Sequence, residues 1–169
     1  EIERWSKDWS AAKYRALVDH LLASKHYGEH WGRMWLDVAR YADTKGYMAA
    51  SVERRYPFAY TYRDWVVGAL NQDVPYDRFL KQQLAADRML GDGTTSTNDL
   101  AALGFLTVGS RFTGKTDLIN DDRIDVITRG MLGLTVTCAR CHDHMYDPIP
   151  TADYYSLYGV FMNTTEPKI

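Results

Sequence analysis

The residues of this chain best suited to chemistry fall in one short stretch, Cys138-Ala139-Arg140-Cys141-His142. Its two cysteines are the only ones in the chain, and an imidazole follows the second directly. Two thiols three positions apart on one helical turn can reach both vinyl groups along one edge of a haem and add to them as thioethers. The next side chain then stands beneath the ring with its imidazole toward the iron. This C-x-x-C-H spacing predicts one covalently attached haem c, held by Cys138 and Cys141 with His142 as an iron ligand. Arg140 projects near the ring edge in that arrangement, where it either pairs with a propionate or faces solvent.

Other chemistries can use the same residues. A thioredoxin-like dithiol opens a helix after a strand in a βαβ pattern, and no such pattern precedes Cys138. A zinc site could take Cys138, Cys141, His142 and His144, although ligands so crowded strain a tetrahedron and a second C-x-x-C is missing. Two buried, inert thiols are the plainest alternative. His144 follows His142 too closely to take the opposite face of the same iron. It is expected to meet Asp143 or Asp147, to touch a propionate, or to lie on the surface.

Few residues follow His142, so a second axial ligand is expected from upstream. Met34 is the first choice, because it falls on the apolar stripe of its helix beside Trp31 and Trp35. The competing account is a core methionine filling a gap. His30, one turn earlier on the same edge, comes next, and an open iron site is the third possibility. His20 points away from its own apolar stripe and is expected in solvent. His26, Met48, Met89, Met131, Met145 and Met162 complete the candidates.

The elements that must position these residues read as helices. Tyr14, Leu17, Val18, Leu21 and Leu22 recur at helical spacing over 10–24, with Ser10 as a cap. A second helix is expected over 29–43, with Trp31, Met34, Trp35, Val38 and Ala42 inward and Gly28 as a stop before it. Residues 45–60 lack periodicity and read as a surface loop. Helices follow over 61–70 and from Pro75, where Asp73 can cap, and 91–96 is a turn-rich break. The apolar piece 100–108 is helix by preference. A long helix over 121–137 should run into the cysteines, and Thr151 should cap a last one. Asp121, Asp122 and Asp125 suggest a cation site or, more plainly, acidic residues at a helix start. Arg33, Asp37 and Arg40 are spaced for surface ion pairs. The fold class is mainly α: a single helical domain over 1–169 with the haem motif near its C-terminal end.

Composition sets the outer bounds. The chain is 46% hydrophobic and 13% aromatic, which supports a sizeable core. Its five Trp and twelve Tyr suit the walls of a flat cofactor or, more simply, a packed interior. A formal net charge of −2 without a basic run gives nucleic-acid binding no support. No stretch approaches the roughly 20 apolar residues of a membrane span. The chain opens with Glu1 rather than Met, as a processed protein or an excised piece of a longer one would.

Four further stretches fall in a specific order: Tyr27-Gly28-Glu29-His30-Trp31, Trp35-Leu36-Asp37-Val38-Ala39-Arg40-Tyr41-Ala42-Asp43, Tyr62-Arg63-Asp64-Trp65-Val66 and Gly133 to His144. Asp147-Pro148-Ile149 and Asp153-Tyr154-Tyr155 then follow. Together they resemble the planctomycete cytochrome-like domain of unknown function, DUF1549 or PSCyt2, over nearly the whole chain. The resemblance implies a fragment or subunit of a larger exported protein with a neighbouring cytochrome-like segment. It implies no tested activity. That family often carries His where this chain has Met34 and Lys where it has Met145, so its ligand set does not transfer directly.

The expected function is electron transfer by a haem c that exchanges electrons with a redox partner protein or an adjacent cytochrome domain. The alternatives are an open-site haem enzyme or gas-binding domain, with His30 as the convenient distal acid–base group, and a zinc-binding structural module. Thioether attachment takes place outside the cytoplasm, so a periplasmic or otherwise exported location is expected.

Overall fold

A computed structural model describes residues 2–46, 55–109 and 115–164. Among them the chain is mainly helical, with two isolated bridges and no strand. The order is α1 (Ile2–Ser6), α2 (Ala11–Leu22), α3 (His26–Val38), α4 (Ala59–Asn71), α5 (Tyr76–Met89), a first 3₁₀ helix (Thr97–Leu106), α6 (Thr116–Ile127), a π turn (Thr128–Leu132), a second 3₁₀ helix (Val136–Arg140) and α7 (Thr151–Met162).

Local side-chain caps set two of the helix starts. Ser10 caps α2 as expected, its hydroxyl accepting from the Lys13 N–H at 3.2 Å. Ser96 and Asp99 form a reciprocal capping box at the first 3₁₀ helix, which replaces the helix expected over 100–108. Asp73 does not cap α5. It sits at φ +50° in the turn ahead, and Pro75 takes the N-cap position. Thr151 is likewise the first residue of α7 rather than its cap. Of the loop expected over 45–60, residues 47–54 lie outside the described ones, and α4 already begins at Ala59.

Helix α3 differs most from expectation. Gly28 is not a stop: it lies inside α3, buried with Gly32 against α4. Its N–H donates to Asn71 Oδ1 at 2.8 Å, and a methyl at Gly28 would overlap the Val67 carbonyl oxygen. The two glycines let the α3 and α4 backbones approach closely, so the glycine face turns inward. The apolar stripe consequently turns outward, with Trp31 50% exposed, Met34 47% and Val38 42%. Trp35 alone of that stripe reaches deep into the core. Helix α3 stops at Val38, five residues short of expectation, where Arg40 adopts φ +51°.

Two apolar clusters hold the chain. The larger joins α3, α4, α5 and the first 3₁₀ helix around Tyr62, Val66, Phe79 and Phe105. Trp35 stacks on Phe105 at 5.8 Å and Trp65 on Phe79 at 5.3 Å. Part of the aromatic load packs this core, while Trp9, Trp31, Tyr76 and Tyr146 among others stay exposed. Within this cluster the Gln83 carboxamide oxygen accepts from Trp35 Nε1 and Tyr62 Oη, both at 2.7 Å. The smaller cluster joins α6, the second 3₁₀ helix and α7 around Ile124, Val136, Ala139, Tyr154 and Phe161. The C-x-x-C-H stretch belongs to the smaller one.

Candidate functional site

The expected helix over 121–137 is broken before it reaches the cysteines. Helix α6 ends at Ile127, a π turn follows, and Gly133 reverses the chain at φ +69°, a conformation glycine adopts without strain. The second 3₁₀ helix then carries the motif. In a 3₁₀ helix residues i and i+3 eclipse, so the turn has three faces. Val136 and Ala139 are buried in the smaller core. Thr137 and Arg140 both turn to carboxylates on α6: Thr137 Oγ1 donates to Asp125 at 3.3 Å and Arg140 Nη1 to Asp121 at 3.3 Å. The remaining face is the dithiol: Cys138 and the C-cap residue Cys141 are free thiols, both exposed.

The acidic run on α6 is therefore an anchoring rail rather than a cation site. Asp121 and Asp125 are one turn apart and share a face. Asp121 accepts from Arg140 and, at 2.7 Å, from the Tyr154 hydroxyl. Asp125 holds Thr137 and, at 2.8 Å, Arg129. Asp122 lies about 100° around the helix and ties Arg40 in a two-pronged pair, with Nε at 3.0 Å. That pair fastens the end of α3 to α6 and takes Arg40 away from the surface ion pairs expected with Arg33 and Asp37. Burial raises the Tyr154 phenol far above its ordinary range, and the bond to Asp121 adds to the shift.

The loop after Cys141 is locked by two residues whose role the sequence did not reveal. Asp143 accepts the Thr151 N–H at 2.8 Å, capping α7 from eight residues upstream. His144 turns inward, with 6% of its side chain exposed. Its Nδ1 accepts the Asp147 N–H at 2.9 Å, so the ring proton is on Nε2, which donates to Thr135 Oγ1 at 2.9 Å. Both nitrogens are used, and the expected neighbour Asp147 is met through its N–H, with its carboxylate 3.4 Å from the same Nδ1. The sequence signal for this pair is slight: a His two places past the motif and a Thr three places before it.

His142 behaves oppositely. It is exposed, and its Nδ1 lies 2.7 Å from the Asp143 carbonyl oxygen, which only accepts. The proton is therefore on Nδ1, and the lone pair on Nε2 has no partner among the described residues. Arg140 is turned to α6, 3.5 Å from Asp117 as well as beside Asp121, and its carbonyl accepts the Tyr155 hydroxyl. Met34 and His30 lie on α3, which packs chiefly on α4, whereas the motif turn packs on α6 and α7; Met48 lies outside the described residues. His20 is exposed as expected, with its ring tilted against Trp5 at 5.6 Å. No group of three or more His, Cys, Asp or Glu is assembled among the described residues.

These features define a helical architecture that presents an outward dithiol and an outward imidazole on a turn clamped to an acidic helix. The chain belongs to the PSCyt2 family, described as a protein of unknown function (DUF1549), whose model matches residues 1–166. No curated protein and no solved structure matches it. No helix among the described residues is long and apolar enough to cross a membrane.

Proposed function

We propose that the chain carries one haem c, attached through Cys138 and Cys141 with His142 on the iron, and that it transfers electrons to or from a redox partner protein or an adjacent cytochrome domain. The carrying observation is the three-faced turn. Its inward and α6-facing residues are fixed, while both thiols and the free His142 Nε2 are left to solvent. The bond from Nδ1 to the Asp143 carbonyl orients the ring and fixes the tautomer that leaves Nε2 open, as an outer partner does for a metal-bound imidazole. Leu132, Met145 and Tyr146, close in sequence, are all exposed apolar or aromatic side chains, in keeping with a flat apolar ring lying over this part of the surface. When bound, haem c supplies a one-electron couple whose potential follows its ligands and burial. Arg140 keeps its Nε–H for a propionate.

Met34 remains the distal ligand of this proposal. Its thioether is exposed, and Val38, one turn on, sits against Gly130 in the π turn ahead of the motif. One observation favours an open iron site instead: α3 packs on α4, whereas the motif turn packs on α6 and α7. The zinc reading fares worse, because His144 would have to give up at least its bond from the Asp147 N–H to become a ligand. Attachment chemistry places the chain in a periplasmic or otherwise exported compartment.

The test is the spectrum of protein produced with haem-attachment machinery. A ferrous form that does not bind carbon monoxide, and binds it once Met34→Ala is introduced, supports electron transfer with a Met34 ligand. Carbon monoxide binding by the unaltered protein moves the assignment to an open site.

A further inference from the structure

The exposed ring of His142 is oriented by its bond from Nδ1 to the Asp143 carbonyl oxygen at 2.7 Å. That carbonyl belongs to the peptide group joining Asp143 to His144, and the group is pinned on its other sides. Its N–H, on His144, donates to the Ile149 carbonyl at 2.9 Å. Ahead of it, Asp143 Oδ1 accepts the Thr151 N–H at 2.8 Å. Behind it, the His144 ring is held by Thr135 and the Asp147 N–H. The Ile149 and Asp147 bonds close the loop on itself. The Asp143 carboxylate fastens it to α7, whose Tyr154 and Phe161 are buried in the smaller core.

Helix α7 also holds the chain on the other side of Cys141 and His142, where the Tyr155 hydroxyl donates to the Arg140 carbonyl at 3.1 Å. The start of α7 therefore brackets the Cys-His pair, through Tyr155 before it and Thr151 after it. The consequence lies in the tautomer of His142. A neutral histidine in water favours the proton on Nε2, which presents an N–H rather than a lone pair to a metal ion. A carbonyl oxygen held against Nδ1 can only accept, so it draws the proton there and leaves Nε2 as the lone-pair nitrogen.

We infer that Asp143 is a positioning residue for His142: by tying its own peptide group to the start of α7, its carboxylate selects the tautomer that can ligate a metal through Nε2. What that selection serves rests on the haem reading. The tautomer itself is a property of the chain without haem, so the two can be tested apart.

The experiment reads the ring-nitrogen signals of His142 in the ¹⁵N-labelled, haem-free full chain at about pH 8.5, where an ordinary imidazole is neutral. The unaltered chain should show mainly the Nδ1–H form. Asp143→Ala should move the ratio toward Nε2–H by about fivefold, the worth of one net hydrogen bond. Asp143→Asn keeps a capping oxygen and should keep the original ratio. Thr151→Pro removes the donor from the other end, at a first helical position where proline is tolerated. It should match Asp143→Ala, and it carries the test should that variant not fold. Tyr155→Phe breaks only the bond to the Arg140 carbonyl and should leave the ratio unchanged. The inference is overturned by an Nε2–H ring in the unaltered chain, or by a ratio that ignores Asp143→Ala or Thr151→Pro. It is equally overturned if Asp143→Asn or Tyr155→Phe shifts the ratio as far as Asp143→Ala. An Nδ1–H ring set by Asp143 in a chain that takes up no haem refutes the haem reading alone, and a haem-bearing chain whose ratio ignores Asp143 refutes this inference alone.

Discussion

Replacing His144 by Leu separates a structural histidine from a metal ligand at the same position. The change keeps an inward side chain of similar bulk and removes three hydrogen bonds, from the Asp147 N–H at 2.9 Å, a longer one from the exposed Tyr146 N–H at 3.3 Å, and to Thr135 Oγ1 at 2.9 Å. Each is worth about 1 kcal/mol net, and leaving the partly buried Asp147 N–H unpaired adds about 1 kcal/mol or more, so the expected loss is roughly 2–4 kcal/mol. For a chain of this size that lowers the melting temperature by roughly 5–15 °C. The Asp147 amide should also exchange with solvent about 10–100 times faster, since about 1.4 kcal/mol is one factor of ten. Denaturant unfolding and amide hydrogen exchange measure the two effects. Thr135→Val removes one of the same bonds, so the double variant should be less destabilised than the sum by about 1 kcal/mol. A loss below about 0.5 kcal/mol with unchanged Asp147 exchange would refute the account of His144 as the lock of this loop. Abolished cofactor retention with unchanged stability would make it a ligand instead.

Two further predictions concern the scaffold. Gly28→Ala must displace the Val67 carbonyl or Asn71 and should cost about 1–3 kcal/mol, whereas Gly159→Ala on α7 meets nothing within 4 Å and should gain about 0.5–1 kcal/mol; equal effects in thermal melts would contradict the close approach of α3 and α4. Buried Tyr62 and Tyr154 both hold their phenolic protons more tightly in the folded state, chiefly through burial. Their contribution is intact below the unfolded value of about 10 and falls as pH rises above it, by about 1.4 kcal/mol per unit for each tyrosine. Denaturant midpoints that do not move between about pH 10 and 11 would show that these phenols are not shielded.

The sequence shows most clearly what depends on local chemistry. The Ser10 cap, the apolar periodicity of α2, and the motif itself are visible because each is decided within a few residues. Long-range packing decides what it hides. Gly28 looks like a stop by local rules and is a contact by tertiary ones, because α4 lies across it. That contact also turns Met34 outward, against the inward orientation its helical spacing suggests. The run from Asp121 to Thr137 scores as one helix, yet the cysteines ride a separate 3₁₀ turn whose period of three sorts them outward. Asp121, Asp122 and Asp125 read as one acidic patch, and a helix rotation of about 100° per residue sends them to different partners. Asp143 and His144 are invisible as locks until Thr151, Asp147 and Thr135 are seen beside them.

Covalent haem at Cys138 and Cys141 is the claim on which the functional account stands, and intact mass addresses it most directly. Protein made in the periplasm of a host with haem-attachment machinery should gain the mass of one haem. The gain should survive acid–acetone extraction, map to the peptide containing Cys138 and Cys141, and vanish in the double Cys→Ala variant. An unmodified mass with both thiols free to alkylate would contradict the account and direct attention to zinc analysis of the same protein.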